Sequence, residues 1–239
     1  SVNIMTDPLK ALLVDEFPRW ESRYANMMLT RDPRIEVTTI FIGSTPNSEL
    51  PTGDDGFPPD REALFAYQIL VLGDVNPAHF TPAQLDAIRA FVVEKGGTLL
   101  LLAGPSFMPA AYGRTVLADV LPFRAQPVPV LAGAETAAAA GPLPLAVTER
   151  GRYENPVQIG PTPAATAQLW ERLPGMNWVK EGVFPNPNAE TLVAVQESKT
   201  PVILTAYAGL GKIMYIGSDA FWRWRYRARW KYHHRFWGQ

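Results

Sequence analysis

Four acidic residues stand directly after short apolar runs of the sequence. Asp15 and Glu16 follow LKALLV, Asp74 follows ILVLG, and Asp219 follows IMYIGS. Carboxylates that come together in pairs act as general acids and bases, or they hold a divalent cation. The same residues have a structural alternative, because acidic side chains also cap and stabilise the first turns of helices. Both interpretations stay open at the level of sequence.

Three arginines are candidate partners for these carboxylates, namely Arg19, Arg223 and Arg225. The last two belong to the aromatic-basic segment 220–239, which contains FWRWRYRARWKYHHRFW. Interleaved aromatic and basic residues occur where proteins bind single-stranded nucleic acid or a membrane surface. Alternatively, the aromatic side chains pack on a sheet while the arginines pair with the carboxylates. With a net charge of -1 on the whole chain, we expect no nucleic-acid partner.

Other reactive groups give weak signals. The chain has no cysteine, which excludes disulfides, thiolate metal sites and a cysteine nucleophile. Ser106 follows an apolar run, but AGPSF lacks the Gly-x-Ser-x-Gly elbow of serine hydrolases, so it is retained only as a ligand-binding candidate. His233 and His234 are adjacent and cannot form the i, i+4 metal pair of a helix. We therefore predict no catalytic residue, no metal and no cofactor.

The stretch 67–104 indicates which elements position these residues. The apolar runs ILVL and LLLL enclose a segment with an apolar stripe at helical period. Thr81 and Pro82 are typical of a helix start, and Gly96 is typical of a left-handed helix end. The stretch thus predicts a strand, a helix and a parallel strand.

The full order of elements predicts an α/β fold with a mostly parallel central sheet. A first strand is expected at 9–14, a helix at 20–29 and a second strand at 35–42. The apolar, inward face of that helix is predicted to carry Trp20, Tyr24, Met27 and Met28. Residues 124–163 predict an irregular β-rich insertion or sheet extension, with weak strands at 127–131, 145–148 and 157–159. Late strands are expected at 178–180, 192–196, 202–207 and 213–216. In such a sheet the carboxyl ends of the strands bring the acidic residues to one rim.

Size and composition agree with a folded protein. The 239 residues are 47% hydrophobic and 19% charged, enough to bury a core within one domain spanning residues 1–239. No run approaches the roughly 18 apolar residues of a membrane span. Because the chain ends abruptly after the aromatic-basic segment, we expect further domains of the same polypeptide beyond it.

The motifs LVDEFPRWESRY, LVLGDVNPAHFTPAQLDAIRAFVVEKGGTLLLLAG and SDAFWRWRYR carry a resemblance. With them the chain resembles the class I glutamine amidotransferase-like domains of large bacterial membrane-anchored proteins that also contain von Willebrand factor A domains. The resemblance implies a flavodoxin-like three-layer α/β/α sandwich. It also implies a parent protein associated with the cell envelope.

The sequence departs from the active members of that family. They place a cysteine after the strand matching 99–102, where this chain has Ala103-Gly104-Pro105-Ser106. Glutamine hydrolysis through a thioester is therefore excluded. We expect a pseudoenzyme that binds a small molecule or a protein partner through Asp15, Glu16, Arg19, Asp74, Ser106, Asp219, Arg223 and Arg225. Two alternatives remain: a hydrolase or carbohydrate-acting enzyme that uses carboxylates at the strand ends, and nucleic-acid binding through the C-terminal segment.

Overall fold

The computed structural model describes residues 8–44, 56–126, 142–224 and 235–236. In these residues the elements are β1 (Leu9–Asp15), α1 (Trp20–Thr30), β2 (Ile35–Phe41), α2 (Arg61–Phe65), β3 (Ile69–Leu72), α3 (Pro82–Val93), β4 (Thr98–Leu102), β5 (Phe123–Ala125), β6 (Leu145–Val147), α4 (Pro163–Arg172), β7 (Val183–Pro185), β8 (Glu190–Val195), β9 (Pro201–Ala208) and β10 (Gly211–Ile216). Short 3-10 turns connect several of them.

Eight strands form one mixed sheet in the order β2-β1-β3-β4-β10-β9-β8-β6. Its first five strands in that order, β2, β1, β3, β4 and β10, run parallel to one another. The remaining strands β9, β8 and β6 are added through antiparallel pairings. The α/β class predicted from the sequence is confirmed. β1 lies between β2 and β3, so the chain winds in opposite directions from it, and ligands commonly bind beyond the carboxyl ends of strands at such a point.

The strand-helix-strand stretch of the sequence is confirmed as β3, α3 and β4. The Thr81 hydroxyl accepts the backbone N–H of Gln84, and the Gln84 side chain accepts that of Thr81, which closes a reciprocal cap. Gly96 has a φ of +83°, the left-handed conformation that the helix end requires. Local chemistry alone therefore fixes both ends of this helix.

The sheet buries apolar side chains on both faces. In β1, Leu12 and Val14 face the cluster that holds Leu64 of α2 and Ile88 of α3. The intervening Leu13 faces the other cluster, with the residues of α1 and α4. This alternation follows from the two-residue period of a strand. Because β1 is buried from both sides, its sequence is continuously apolar.

The segment 124–163 extends the main sheet at its edge, because β6 pairs antiparallel with β8. Residues 127–141, including the strand predicted at 127–131, lie outside the described residues. The strand predicted at 157–159 is wrong: Asn155–Val157 forms a 3-10 turn with Pro156 in its first positions. The strand predicted at 178–180 is also absent from the described structure, where β7 begins only at Val183.

The described part of the C-terminal segment packs into the protein. Phe221, Trp224 and Phe236 are each at most 5% exposed and lie in the cluster that covers the α1 and α4 side of the sheet. Trp170 of α4 meets Trp224 edge-on, with ring centroids 5.1 Å apart. The packing alternative for these aromatic residues is confirmed. In the described ranges, no helix is both long and apolar enough to span a membrane.

Candidate functional site

Asp15 lies at the carboxyl end of β1 and is fully buried. Its carboxylate accepts the backbone N–H groups of Glu16 and Asp74 at 2.9 and 3.0 Å. The Nε atom of Arg19 donates to its Oδ2 atom at 3.0 Å, and the Nη2 atom of Arg19 lies 3.0 Å from the same oxygen as an ion-pair contact. Burial raises the pKa of Asp15, and the Arg19 charge opposes that rise. A side chain at Gly73 would overlap this carboxyl group, so the close approach of β1 and β3 requires glycine there.

Asp74, at the end of β3, holds the loop that follows β4. Its Oδ2 atom accepts the N–H of Ser106 at 2.8 Å, and its Oδ1 atom accepts those of Phe107 and Met108 at 2.7 Å each. Only the backbone of Ser106 takes part, and its side chain is exposed. Asp74 is 4% exposed and serves to fix the loop. By accepting three N–H groups, this carboxylate satisfies backbone donors of the loop that would otherwise lack an acceptor.

Glu16 is engaged on the far side of the same strand end. Its carboxylate accepts the N–H of Asn76 at 3.0 Å and lies 3.0 Å from Nε2 of His79. Glu16 therefore ties the end of β1 to the turn before α3. In the described residues, no group of three or more histidine or acidic side chains is arranged to hold a metal ion.

Arg19 connects the ends of three strands. Besides its pair with Asp15, its Nη1 atom donates to the carbonyl of Ala103 after β4, at 2.9 Å. The same atom lies 3.6 Å from Oδ2 of Asp219, which follows β10. Its side chain is only 15% exposed. Arg19 thus pairs with the buried Asp15 on one side and lines an open pocket on the other.

This pocket, which we call the tryptophan pocket, has a volume of about 900 Å³. It lies beyond the carboxyl ends of β1, β2 and β10, where an open α/β sheet is expected to bind ligands. The lining residues come from the start of α1, the end of β2, the loop before β7 and the turn after β10: Pro18, Arg19, Trp20, Arg23, Asn26, Met27, Phe41, Asn177, Trp178, Asp219, Ala220, Trp222 and Arg223.

Two tryptophans form one wall of the tryptophan pocket. The rings of Trp20 and Trp222 stack with centroids 5.5 Å apart and an interplanar angle of 27°. Trp20 remains 50% exposed. The guanidinium of Arg23 lies 5.5 Å from the centroid of the Trp20 ring, and that of Arg223 lies 5.1 Å from that of Trp222. Both arginines therefore lie against aromatic faces that attract cations.

Glu21 supports this wall from beneath. It is fully buried, and its Oε2 atom accepts the backbone N–H of Trp222 at 3.1 Å. Its Oε1 atom has no hydrogen-bond partner within the described ranges. Burial raises the pKa of Glu21 to about 8, and the nearby Asp219 charge adds to that rise. The carboxyl group is therefore held mostly neutral at pH 7.

Asp219 is the one carboxylate that lines the tryptophan pocket in the described part of the chain. Its side chain is 32% exposed. Burial raises its pKa, while Arg19 lowers it. A carboxyl group of this kind can accept hydrogen bonds from a ligand when ionised and can donate one when protonated.

The structure separates the residues chosen from the sequence into two groups. Arg19, Asp219 and Arg223 line the tryptophan pocket. The carboxylates of Asp15, Glu16 and Asp74 instead accept hydrogen bonds from Arg19 or from backbone N–H groups. The expected pairing of carboxylates with arginines occurs at Arg19. Arg223 forms no ion pair with a described carboxylate, and Arg225 lies outside the described residues.

Several pocket residues were missed by the sequence reasoning. The predicted inward face of α1 is wrong in part, because Trp20 is half exposed while Glu21 and Ser22 are buried. Trp178 was assigned to a strand and instead lies in the loop that lines the pocket. The available signal was the concentration of tryptophan at the C-terminal end of the sequence, where four of the seven lie after residue 220.

Comparison with known proteins gives structural similarity only. No family model matches the sequence, and no curated protein matches it. Among solved structures, the chain is similar to the exo-beta-1,4-mannosidase Op5Man5 from Opitutaceae bacterium strain TAV5, with 15% identity, a TM-score of 0.48, and coverage of 97% of this chain and 35% of that one. It is also similar to the beta-galactosidase from Bacillus circulans sp. alkalophilus, with 12% identity, a TM-score of 0.46, and coverage of 90% and 30%. The chain thus spans about a third of each of these proteins.

These findings correct the family resemblance drawn from the sequence. The similar structures are named as a mannosidase and a galactosidase, and neither is an amidotransferase-like domain. The expectation of an amidotransferase-like pseudoenzyme is therefore wrong. The features that suggested it, a strand-helix-strand unit with acidic residues at the strand ends, belong to wound α/β sheets in general and do not specify a family.

Proposed function

We propose that the chain binds a carbohydrate in the tryptophan pocket. The observation that carries the proposal is the half-exposed ring of Trp20, stacked on Trp222 at the wall of a 900 Å³ pocket. A sugar ring presents C–H groups on its faces and hydroxyl groups around its edge. Flat aromatic side chains bury such a face, and polar side chains next to them bind the hydroxyls.

The polar groups for the hydroxyls are Asn177 and Asp219. Asn177 is exposed at the pocket, and Asp219 retains a third of its exposure beside Arg19. Asn26 is less available, because its amide already donates to Thr39 at 2.6 Å and accepts the hydroxyl of Thr30 at 2.9 Å. An aromatic wall with polar side chains beside it is a usual composition for a site that binds a small organic ligand.

Hydrolysis of the bound sugar is the second candidate function. The observation in its favour is the position of the Asp219 carboxyl group in the pocket, where burial raises its pKa, the direction that a general acid requires. Glycoside hydrolysis usually requires two carboxyl groups on either side of the scissile bond. Among the described lining residues Asp219 has no second carboxylate beside it, and Glu21 lies beneath the pocket wall. Binding is therefore the primary proposal.

Titration with manno-, galacto-, gluco- and xylo-oligosaccharides, followed by tryptophan fluorescence and calorimetry, tests the proposal. Trp20→Ala removes the aromatic face, and we expect affinity to fall roughly tenfold or more. Tyr153→Ala is the matched control, because Tyr153 is 62% exposed and does not line the pocket. Absence of binding up to about 10 mM, or equal affinity of the Trp20 variant and the wild type, would refute the proposal.

The same titrations separate binding from catalysis. Release of shorter sugars by the wild type and its loss in Asp219→Asn would establish the second candidate. Unchanged sugars together with saturable binding would leave binding as the function. Because asparagine has nearly the same shape as aspartate, we expect the Asp219 variant to retain the fold. An unchanged circular dichroism spectrum checks this.

A further inference from the structure

The charges in the tryptophan pocket are unbalanced. Its described lining contains three guanidinium groups, from Arg19, Arg23 and Arg223, and one carboxylate, from Asp219. We propose that the bound carbohydrate is acidic, a uronic acid whose carboxylate is held by Arg23 and Arg223. This inference is built on the proposed function and specifies its ligand class.

Arg19 does not contribute to the positive excess. Its guanidinium group lies 3.0 Å from the buried Asp15 carboxylate and 3.6 Å from the Asp219 carboxylate. It also donates a hydrogen bond to the carbonyl of Ala103. Its charge is therefore compensated from within the protein, and its position is fixed. The attraction for a ligand anion must come from the other two arginines.

Arg23 and Arg223 lack such compensation in the part of the chain that the structure describes. Among the described residues, their guanidinium groups lie over the rings of Trp20 and Trp222, which do not neutralise their charge. The Nε atom of Arg223 is buried there without a hydrogen-bond acceptor. A guanidinium that packs by its face against an aromatic ring keeps its N–H groups in its own plane. Those groups match the two oxygens of a carboxylate.

The pocket also argues for a sugar acid over a chain of phosphates. Asp219 lies within the lining and would repel successive phosphate groups, whereas a sugar hydroxyl can donate to it. The tryptophan wall is one stacked pair, which suits one or two rings. An oligonucleotide is the competing ligand, because bases also stack on tryptophan beside arginine.

A neutral analogue isolates the charge of the ligand. We propose titrating the protein with trigalacturonate and with its methyl ester, which has the same sugar rings but no charge. The acid is expected to bind roughly tenfold or more tightly than the ester, since charge-assisted bonds to the carboxylate are lost in the ester. Raising the salt concentration should weaken binding of the acid and leave binding of the ester unchanged.

Variants assign the carboxylate to its two arginines. Arg23→Gln and Arg223→Gln should each lower affinity for the acid roughly tenfold and leave affinity for the ester nearly unchanged. Arg23→Lys retains the charge without the planar pair of donors and should give an intermediate loss. Arg114→Gln is the matched control, because Arg114 is exposed and does not line the pocket. Circular dichroism of each variant establishes that the fold is retained.

The outcomes distinguish this inference from the proposed function. Equal affinity for acid and ester, unaffected by the arginine variants, would overturn the inference and leave carbohydrate binding intact. Tighter binding of a short oligothymidylate than of trigalacturonate, lost in the same variants, would also overturn it. Failure of every neutral and acidic sugar to bind would overturn the proposed function itself.

Discussion

Replacement of Glu21 by glutamine should change how the stability of this protein depends on pH. Glu21 is fully buried, with one oxygen on the N–H of Trp222 and the other without a partner among the described residues. Burial raises its pKa from an ordinary value of 4.5 to about 8. The folded state therefore holds a proton that the unfolded state has released over this range.

The sign and size follow from proton linkage. Because the pKa is higher in the folded state, stability is greatest below pH 4.5 and decreases as pH rises towards 8. Each pKa unit corresponds to about 1.4 kcal/mol, so the wild type should lose about 3 to 4 kcal/mol between about pH 5 and about pH 8 through this group alone. Glutamine has the shape of the protonated side chain and cannot ionise, so Glu21→Gln should not show this loss.

Urea denaturation at several values of pH measures the effect. The free energies of unfolding of wild type and variant should be similar near pH 5 and should diverge in favour of the variant as pH rises. The buried Asp15 and the partly exposed Asp219 also titrate, but they do so in both proteins, so the difference between the two curves reports Glu21 together with its coupling to the Asp219 charge. Glu62→Gln, at an exposed position of α2, is the control. Parallel curves for wild type and the Glu21 variant would show that the reasoning is wrong.

Further predictions concern the buried groups that build the rim. Asp74→Ala leaves three loop N–H groups without their acceptor and should lower the free energy of unfolding by about 3 to 5 kcal/mol, whereas Ser106→Ala should change it by less than about 0.5 kcal/mol. Gly104→Ala places a methyl group against the Asp74 carboxyl and should cost about 1 to 3 kcal/mol. The double variant should be somewhat less destabilised than the sum, because Asp74→Ala removes the overlapping carboxyl group, although its Cβ atom remains 2.3 Å from the added methyl group; additive losses in denaturation would contradict the contact with the carboxyl group. Trp170→Phe removes an indole N–H bond of 2.8 Å to Val157 and should cost about 1 to 3 kcal/mol in the same assay.

The central strand-helix-strand unit could be predicted because its signals are local. Thr81, Pro82 and Gly96 act within a few residues of their own positions, and the apolar runs of β3 and β4 indicate burial on both faces of a sheet. The acidic rim followed from the same logic, since parallel strands end at one edge. Asp15 and Asp74 do meet there, through a hydrogen bond between residues 59 positions apart.

The role of those acids could not be predicted in the same way. Whether a strand-end carboxylate faces solvent or accepts backbone N–H groups depends on which loop packs over it. The carboxylate of Asp74 accepts N–H groups of the loop after β4, and that of Asp15 pairs with Arg19. The sequence contains both possibilities, because an acidic residue after a strand serves either purpose.

By itself the sequence determined the class of fold, the central unit and the edge of the sheet at which the acidic residues gather. Only the tertiary structure decided that Trp20 turns outward to stack on Trp222, while Glu21 turns inward and binds the backbone of the same residue, 201 positions away. Helical periodicity specifies which residues share a face, but the energy that selects the buried face comes from the surface it packs against. For α1 that surface includes the turn after β10, so the tryptophan pocket exists only once both ends of the chain have come together.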